Sequence, residues 1–551
     1  MVRYLPVGAV VVLVFTRVPS VCPNFCRLCG DSILSVVFPV RGPGTVEPTD
    51  PRSGGTMSDA HAPEPYGGFD AMSIGGRQWT GSSDAEYQDR NPYDDTPLTR
   101  IRLADADDVE SAYRAAAAAQ KQWAATPAVE RSALFLRALE VMDRRRDEIV
   151  EWLVHEIGAV RQRAEFEWSL VRAGMIEVIN HATRVSGWIL PGVTPGKENR
   201  VYREPVGVVG AITPWNFPMQ LSHRTIAPAI ALGNAVVLKP AEDSPVTGGL
   251  LLARIYEEAG LPPGVLNVVI GKGSRIGDAL VTSRVPSLIS FTGSTGVGSH
   301  IAAQSPLKNH ALELGGNGPL VILDDADLDR AADAAVFGSF YHQGQICMST
   351  NRVVAQARVY DEIVERVRER AQELRTGDPA GTDTQIGPII NDSQLEHARD
   401  LISRAVGDGA ELLVSGDPSG PAGRVLPPHV LVGGNDVATA AEEVFGPVAT
   451  IVRAESEEEA LHIANDTDYG LSSAVFTEDV ERGVNFARRV EAGMTHVNDT
   501  TVNDEPNTAF GGEKDSGVGR FGGVWAIEDF TTDHWVSVQH TTRDLPFGVD
   551  E

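Results

Sequence analysis

Between Asn199 and Leu323 the chain repeats one pattern, in which a short continuous apolar stretch is followed by a longer segment of helical character. The stretches are VGVVGAIT at 206–213, NAVVLKPA at 234–241, VLNVVIG at 265–271, LISFTG at 288–293 and PLVIL at 319–323. Short runs rich in β-branched residues are typical of strands buried on both faces. Strands that alternate with helices predict an α/β fold with a parallel, doubly wound sheet.

Helices are predicted upstream of these strands. Residues 104–126 carry acidic side chains in the first turn, which favours a helix N-terminus. Residues 130–158 place Phe135, Leu139 and Met142 at helical spacing and are predicted as one helix.

Polar or glycine-rich segments follow three of the predicted strands, at the end where α/β sheets bind ligands. They are TPWNFP at 213–218, KPAE at 239–242 and FTGSTGVG at 291–298. A glycine-rich turn that opens a helix suits a phosphate, because free N–H groups and the positive end of the helix dipole converge there. Lys239 and Glu242 can hydrogen-bond the hydroxyls of a nucleotide ribose. Together these segments indicate a nucleotide site.

Cys347, within HQGQICMST at 342–350, is the only cysteine after Met57. A free cysteine is either a small buried apolar residue or a nucleophile. One cysteine cannot form a disulfide framework, which indicates a reducing cytoplasm for the main body of the chain. The length of 551 residues predicts two or three domains.

The formal net charge of −28 argues against nucleic acid and anionic membranes as partners, because both would repel the protein. Only six of the 47 basic residues are lysines. A GC-rich genome would explain arginine in place of lysine. The acid excess on top of it indicates adaptation to a salty cytoplasm, where ions screen self-repulsion.

The first 56 residues differ from the rest, with five arginines against three acidic residues. An apolar run, Leu5 to Thr16, is too short to span a bilayer and resembles a signal-peptide core without a clear cleavage site. Cys22, Cys26 and Cys29 have the spacing of the cluster motif of radical enzymes that use S-adenosylmethionine, which is the first alternative function. The composition instead favours Met57 as the start of translation.

Seven motifs occur in one order and together resemble the aldehyde dehydrogenase superfamily, whose members use NAD(P). They are ITPWNFP, VVLKPAEDSP, SFTGSTGVG, LELGGNGP, HQGQICMST, EEVFGPV and AFGGEKDSGVGRFGG. The resemblance extends from about Ala71 to His534. The segments QLSHR and NDTTVNDEPNTAFGGEKDSG are similar to the branch that contains vanillin and benzaldehyde dehydrogenases.

The resemblance implies three catalytic residues. Cys347 is expected to add to an aldehyde, forming a thiohemiacetal that loses hydride to become a thioester. Asn216 and the backbone N–H of Cys347 are expected to stabilise the oxyanion. Glu313 is expected to activate the water that hydrolyses the thioester to a carboxylic acid.

The resemblance also implies a cofactor site. A carboxylate at Glu242, beside Lys239, would repel a 2′-phosphate, so NAD is favoured and NADP remains possible. The further cofactor contacts implied are Thr213, Trp215, Gly293, Ser294, Glu443 and Phe445. No metal is implied.

The implied substrate is a small aldehyde, and the branch favours an aromatic one over the alternative, another small aldehyde or semialdehyde. The implied pocket residues are Phe217, Gln220, Leu221, Arg224, Ile346, Met348, Asp504 and Phe510. Asp504 departs from the apolar pockets that suit long alkyl aldehydes. A binding protein without turnover is a further alternative, which the presence of the three catalytic residues argues against.

The implied architecture has a Rossmann-type dinucleotide-binding domain at 65–186 and 206–312 and a catalytic α/β domain at 313–515. A small β element at 187–205 and 516–551 would join subunits into a homodimer or homotetramer, and residues 1–64 would be an atypical extension. Residues 530–539 alternate like an edge strand, as expected at a subunit boundary.

The acid excess generates a prediction about salt. Screening shortens the reach of charge repulsion from about 30 Å at 0.01 M salt to about 3 Å at 1 M. The melting temperature should therefore rise between dilute buffer and molar potassium chloride. A flat or falling melting temperature would leave genome composition as the explanation of the charge.

Overall fold

The computed structural model describes residues 63–545 and residue 547. The apolar run, the three clustered cysteines and the start at Met57 lie outside the described residues. Among the helices of the described part, none is long and apolar enough to cross a membrane.

The strands are two to nine residues long, and each of the five apolar stretches overlaps one of them. They are β1 Met72–Ile74, β2 Arg77–Trp79, β3 Glu86–Arg90, β4 Pro97–Arg102, β5 Trp188–Pro191, β6 Lys197–Pro205, β7 Val208–Ile212, β8 Ala235–Lys239, β9 Leu266–Val268, β10 Leu288–Thr292, β11 Asn309–Glu313, β12 Gly318–Ile322, β13 Thr350–Gln356, β14 Glu411–Val414, β15 His429–Val432, β16 Val448–Ala454, β17 Tyr469–Gly470, β18 Ser472–Phe476, β19 Met494–Val497, β20 Glu513–Lys514, β21 Gly517–Val518 and β22 Thr531–Gln539.

The helices pack mainly on the faces of the sheets. They are α1 Ala106–Ala125, α2 Ala128–Arg144, α3 Arg146–Ile157, α4 Arg161–Val178, α5 His181–Arg184, α6 Pro218–Ala231, α7 Leu251–Glu258, α8 Gly273–Thr282, α9 Thr295–Gln304, α10 Leu328–Phe340, α11 Tyr360–Gln372, α12 Asp392–Gly407, α13 Ala438–Ala441, α14 Glu457–Asn465, α15 Val480–Ala487 and α16 Trp525–Asp529. A π-helical turn, Val246–Leu250, precedes α7, and a 3₁₀ turn, Tyr341–Gly344, follows α10.

An eight-stranded sheet has the order β2-β1-β9-β8-β7-β10-β11-β21. Its five central strands, β9 to β11, are parallel. The chain runs outward from β7 to β9 and then returns to the other side of β7, so the strand order reverses between β7 and β10. The predicted doubly wound parallel sheet is confirmed, and its switch point is the place where such sheets bind ligands.

The fifth apolar stretch forms β12 in a second, seven-stranded sheet with the order β14-β15-β16-β13-β12-β18-β19. All its neighbours are parallel except β14 and β15. A three-stranded antiparallel sheet has the order β22-β6-β5, and β22 is an outer strand, as its alternation predicts. The pairs β3-β4 and β17-β20 form two-stranded sheets.

The single helix predicted over 130–158 is wrong, because Arg145 separates α2 from α3 with φ −107° and ψ 16°. The Arg145 guanidinium stacks 3.5 Å from the ring centroid of Tyr66. It also donates to Glu148 at 2.7 Å and Glu258 at 2.9 Å. The contacts with Tyr66 and Glu258, which are distant in the sequence, hold the break, and apolar periodicity carries no signal for them.

Asn234, in the turn between α6 and β8, joins the first sheet to the segment that leads into β22. Its fully buried side chain donates to the carbonyls of Phe530 at 2.9 Å and Ala229 at 3.1 Å. Its Oδ1 accepts from the N–H of Gly207 at 2.8 Å. One amide therefore satisfies backbone groups of three segments.

We expect Asn234→Ala to lower the free energy of unfolding by about 2–4 kcal/mol, because it leaves buried backbone groups without partners. Urea denaturation measures the change. Asn309→Ala, at an exposed side chain, is the control and should change stability by about 0.5 kcal/mol at most. Equal stability of the two variants would contradict the proposed linking role.

Candidate active site

Cys347 lies between α10 and β13, after a tight turn. His342 and Gln343 in this turn have φ of +50° and +57°. Left-handed backbone costs about 1–2 kcal/mol per residue outside glycine, so other contacts must hold it. Gln343 Nε2 donates to the carbonyl of Pro388 at 2.9 Å, which fastens the turn to the segment before α12.

Asn216 lies beside the cysteine segment. Its Nδ2 donates to the carbonyl of Gln345 at 2.9 Å, and Gln345 in turn accepts from the N–H of Ile390 at 3.0 Å. An amide nitrogen carries two N–H donors, so one remains for another acceptor. The backbone carbonyl of Asn216 accepts from the buried Arg163. The side-chain amide is thus held at its nitrogen and the backbone of the same residue at its carbonyl, which fixes the position of the donor.

Glu313 is the last residue of β11 and is 1% exposed. Arg224 Nη1 donates to its two carboxylate oxygens at 3.2 and 3.0 Å. Burial raises the pKa of Glu313 to about 7; the charge of Asp504 adds to the rise and Arg224 opposes it. A carboxyl group with this pKa can accept and release protons near neutral pH.

The thiol of Cys347 is in a similar environment. Burial raises its pKa above the usual range, the charges of Glu313 and Glu443 add to the rise, and Arg224 opposes it. The resting thiol is therefore protonated and must lose its proton before it acts as a nucleophile.

A cavity of about 390 Å³ opens at the carboxyl ends of β7 and β10. Among the predicted residues that line it are Asn216, Cys347, Trp215, Gly293, Ser294, Glu443 and Phe445. Ser294 precedes α9 and makes no side-chain cap hydrogen bond, so N–H groups of the first helical turn stay available to a ligand. The rings of Trp215 and Phe445 meet edge to face, 5.5 Å apart.

Glu443 closes another part of this cavity. Its Oε1 accepts from the N–H of Gly316 at 3.0 Å, and burial raises its pKa to about 7.

Three predicted cofactor residues do not line the cavity: Thr213, Lys239 and Glu242. Thr213 follows β7, Lys239 is the last residue of β8, and Glu242 follows β8. The buried Thr213 hydroxyl lies 2.7 Å from Ser222 Oγ. Glu242 accepts from the N–H of Gly273 at 2.8 Å, and its other oxygen lies 3.5 Å from Lys239 Nζ. Lys239 and Glu242 thus form a separate polar pair beside the N-terminus of α8.

All eight predicted substrate residues surround one further cavity, which shares Asn216, Leu221 and Cys347 with the first. They are Phe217, Gln220, Leu221, Arg224, Ile346, Met348, Asp504 and Phe510. The cysteine therefore lies where the two cavities meet.

Sequence reasoning missed several lining residues. Phe166 and Leu170 of α4, at the second cavity, and Ser393, Gln394 and His397 of α12, at the first, lie on helices without a motif. Val502 and Asn503, also at the second cavity, lie in the loop before Asp504. The spacing of Phe166 and Leu170 predicts only a helix face. Nothing in the sequence of α12 distinguishes its first turns from any amphipathic helix.

Residues 79–536 match the aldehyde dehydrogenase family. The chain belongs to the aldehyde dehydrogenase family. It is 50% identical to a vanillin dehydrogenase of Corynebacterium glutamicum, over 86% of this chain and 99% of that protein. It is 41% identical to an NAD⁺-dependent benzaldehyde dehydrogenase of Pseudomonas putida, over 81% of this chain and 91% of the other.

The crystal structure of an NAD-dependent benzaldehyde dehydrogenase from Corynebacterium glutamicum has the same fold, with a TM-score of 0.80 and 47% identity. The match covers 87% of this chain and 99% of that chain. The aldehyde dehydrogenase fold predicted from the motifs is confirmed.

Gly316 marks a close backbone approach in this aldehyde dehydrogenase. A Cβ atom built there would lie 2.1 Å from the carbonyl oxygen of Cys347. We expect Gly316→Ala to displace the cysteine and slow aldehyde oxidation by about 100-fold, the effect of a misplacement of about 1 Å. The control is Gly277→Ala in α8, where nothing lies within 4 Å of the added atom. Steady-state rates and melting temperatures of both variants check this, and a fully active Gly316→Ala would contradict it.

Proposed function

We propose that this enzyme oxidises an aromatic aldehyde of the benzaldehyde or vanillin type to the carboxylic acid, with NAD as hydride acceptor. The observation that carries the proposal is the position of Cys347 at the junction of two cavities. One has the helix N-terminus and aromatic rings that suit a dinucleotide, and the other is lined by Phe217, Leu221 and Phe510. The names of the relatives support the same substrate class.

The first half-reaction forms the thioester. The Cys347 thiol releases its proton to solvent, and the resulting thiolate sulfur adds to the aldehyde carbon. The carbonyl oxygen becomes an oxyanion, which accepts hydrogen bonds from Asn216 Nδ2 and the backbone N–H of Cys347. The oxyanion collapses to a carbonyl as the carbon releases hydride, which leaves a thioester on Cys347. NAD, when bound, supplies the positively charged ring that accepts this hydride.

The second half-reaction releases the acid. Glu313 takes a proton from water as the water oxygen attacks the thioester carbonyl, and Asn216 again stabilises the oxyanion. The carbon–sulfur bond breaks, and Cys347 leaves as a thiolate. A pKa of about 7 for Glu313 suits this role, because a base works best when its pKa is near the working pH.

The residues present fit NAD. The N–H groups that open α9 beside Gly293 and Ser294 suit a pyrophosphate. Glu443 and Phe445 would hold the nicotinamide end near Cys347. Lys239 and Glu242 would hold the adenosine ribose, where the carboxylate disfavours the 2′-phosphate of NADP.

We propose the domain roles and assembly that the resemblance implies. Residues 65–186 and 206–312 would bind the dinucleotide, and residues 313–515 would supply the catalytic cysteine. The three-stranded sheet of β5, β6 and β22 would join subunits, supported by the exposure of Trp188 at 66% and Trp535 at 62%. The cytoplasm is the proposed location.

A substrate panel tests the proposal. Benzaldehyde, vanillin, hexanal and succinic semialdehyde are each mixed with NAD or NADP, and NAD(P)H formation is followed by absorbance. We expect kcat/KM to be highest for the aromatic aldehydes with NAD. Preference for hexanal or the semialdehyde would overturn the substrate assignment, and absence of NAD(P)H formation with every aldehyde would overturn the activity.

Glu313→Gln should slow thioester hydrolysis more than thioester formation, so a burst of NADH should precede a slow steady state. Rapid-mixing absorbance measures the burst and the rate that follows. The control is Cys347→Ala, which should abolish both phases while NAD still binds. An unchanged steady-state rate in Glu313→Gln would remove this residue from the mechanism.

A further inference from the structure

Arg224 of α6 occupies an unusual position for a residue expected in the wall of a substrate pocket. Its side chain is 9% exposed, and its Nη1 donates to both oxygens of Glu313. Its Nη2 pairs with Asp504. The guanidinium stacks 3.9 Å from the ring centroid of Phe510. The same side chain therefore contacts the proposed base, a second carboxylate and the aromatic wall.

The two carboxylates share one cation. A guanidinium has N–H donors on separate edges, so it can pair with two carboxylates at once. A lysine ammonium, a single point charge, would hold two carboxylates less well. Asp504 is held further by Gln220, whose Nε2 donates to it at 3.3 Å. A buried carboxylate without its cation is strongly disfavoured. The stabilisation of the Glu313 carboxylate by the Arg224 cation thus depends on Asp504, which pairs with the same guanidinium.

The other surroundings of Glu313 contribute little charge. On the adjoining strands its partners are Thr292 and Gly517, which are uncharged. The remaining titratable groups of the active centre are the thiol of Cys347 and the carboxyl group of Glu443. Among the described residues that shift Glu313, Arg224 is the cation and Asp504 the competing anion.

We propose that Arg224 is a positioning residue for thioester hydrolysis, which holds the Glu313 carboxylate in place and fixes its proton affinity, with Asp504 limiting that effect. This inference rests on the proposed role of Glu313 as the base. It assigns Arg224 and Asp504 a part in the chemistry beyond the pocket wall predicted from the motifs.

The two partners shift the pKa of Glu313 in opposite directions, and this difference can be tested. Loss of the Arg224 charge should raise the pKa of Glu313, so hydrolysis should need a higher pH. Loss of the Asp504 charge should lower that pKa, so hydrolysis should persist to a lower pH. Shifts of about one pH unit are expected from charges at this range.

The experiment uses the full chain and single turnovers with benzaldehyde and NAD between pH 5 and 9. NADH absorbance reports thioester formation, and quenched samples report acid release. The rate of carboxylic acid release should fall at low pH, and the pH of this fall is called the limb. We expect the limb to lie at higher pH in Arg224→Met and at lower pH in Asp504→Asn. Arg224→Lys, which keeps the charge, should move it less than Arg224→Met. The limb of the double variant should lie between those of the single variants.

Glu505→Gln is the matched control, since it removes an exposed carboxylate next to Asp504 and should leave the limb in place. Melting temperatures show which variants fold, and Asp504→Asn alone still tests the inference if Arg224→Met does not fold.

Limbs that stay in place while only KM for the aldehyde rises would overturn the inference, as would shifts in the same direction for both charges. Glu313→Gln separates the two levels of the argument. If it loses hydrolysis while the limbs of the other variants stay in place, only the present inference fails. If it keeps hydrolysis, the proposed role of Glu313 itself fails.

Discussion

The parallel register of the first sheet is the constraint on which the active centre depends. It places Thr292 of β10 opposite Glu313 of β11, and Ile212 of β7 opposite Lys239 of β8. Segments that follow the carboxyl ends of neighbouring parallel strands lie side by side at the same edge of the sheet, whatever their separation in sequence. The proposed base, the helix-opening turn and the asparagine segment therefore converge through backbone hydrogen bonds of the sheet.

A buried ion pair also holds the segment between β7 and α6. Arg163 and Glu167 of α4 are both fully buried and pair with each other. Arg163 donates to the carbonyl of Asn216, and Glu167 accepts from the N–H of Gln220 at 2.9 Å. Since α6 has no side-chain cap of its own, Glu167 satisfies a donor of its first turn from a neighbouring helix. Charge pairs therefore hold both the oxyanion donor and, through Arg224, the base.

The fold was predictable from sequence to the extent that it depends on local pattern. Continuous apolar runs identified the strands β7 to β10 and β12, because burial on both faces favours apolar residues at successive positions. The helix break at Arg145 was not predictable, since its partners Tyr66 and Glu258 lie far away in the sequence. The same limit explains why Arg224 could be placed in the pocket but not against Glu313: a motif gives residue types and order, and an ion pair across 89 positions leaves no mark in either.

The site motifs could be recognised in the sequence because several backbone segments of the site approach so closely that no side chain fits between them. A Cβ atom at Gly344 would lie 2.0 Å from the carbonyl oxygen of Gly446, so the cysteine turn and the segment after Glu443 meet backbone to backbone. Phe445, with φ +50°, bends that segment toward the cavity. Contacts of this kind demand glycine at fixed places, and such glycines stand beside the functional side chains in the sequence. The glycines thus identify where the chain must approach itself, and the charged residues between such points decide what chemistry occurs there.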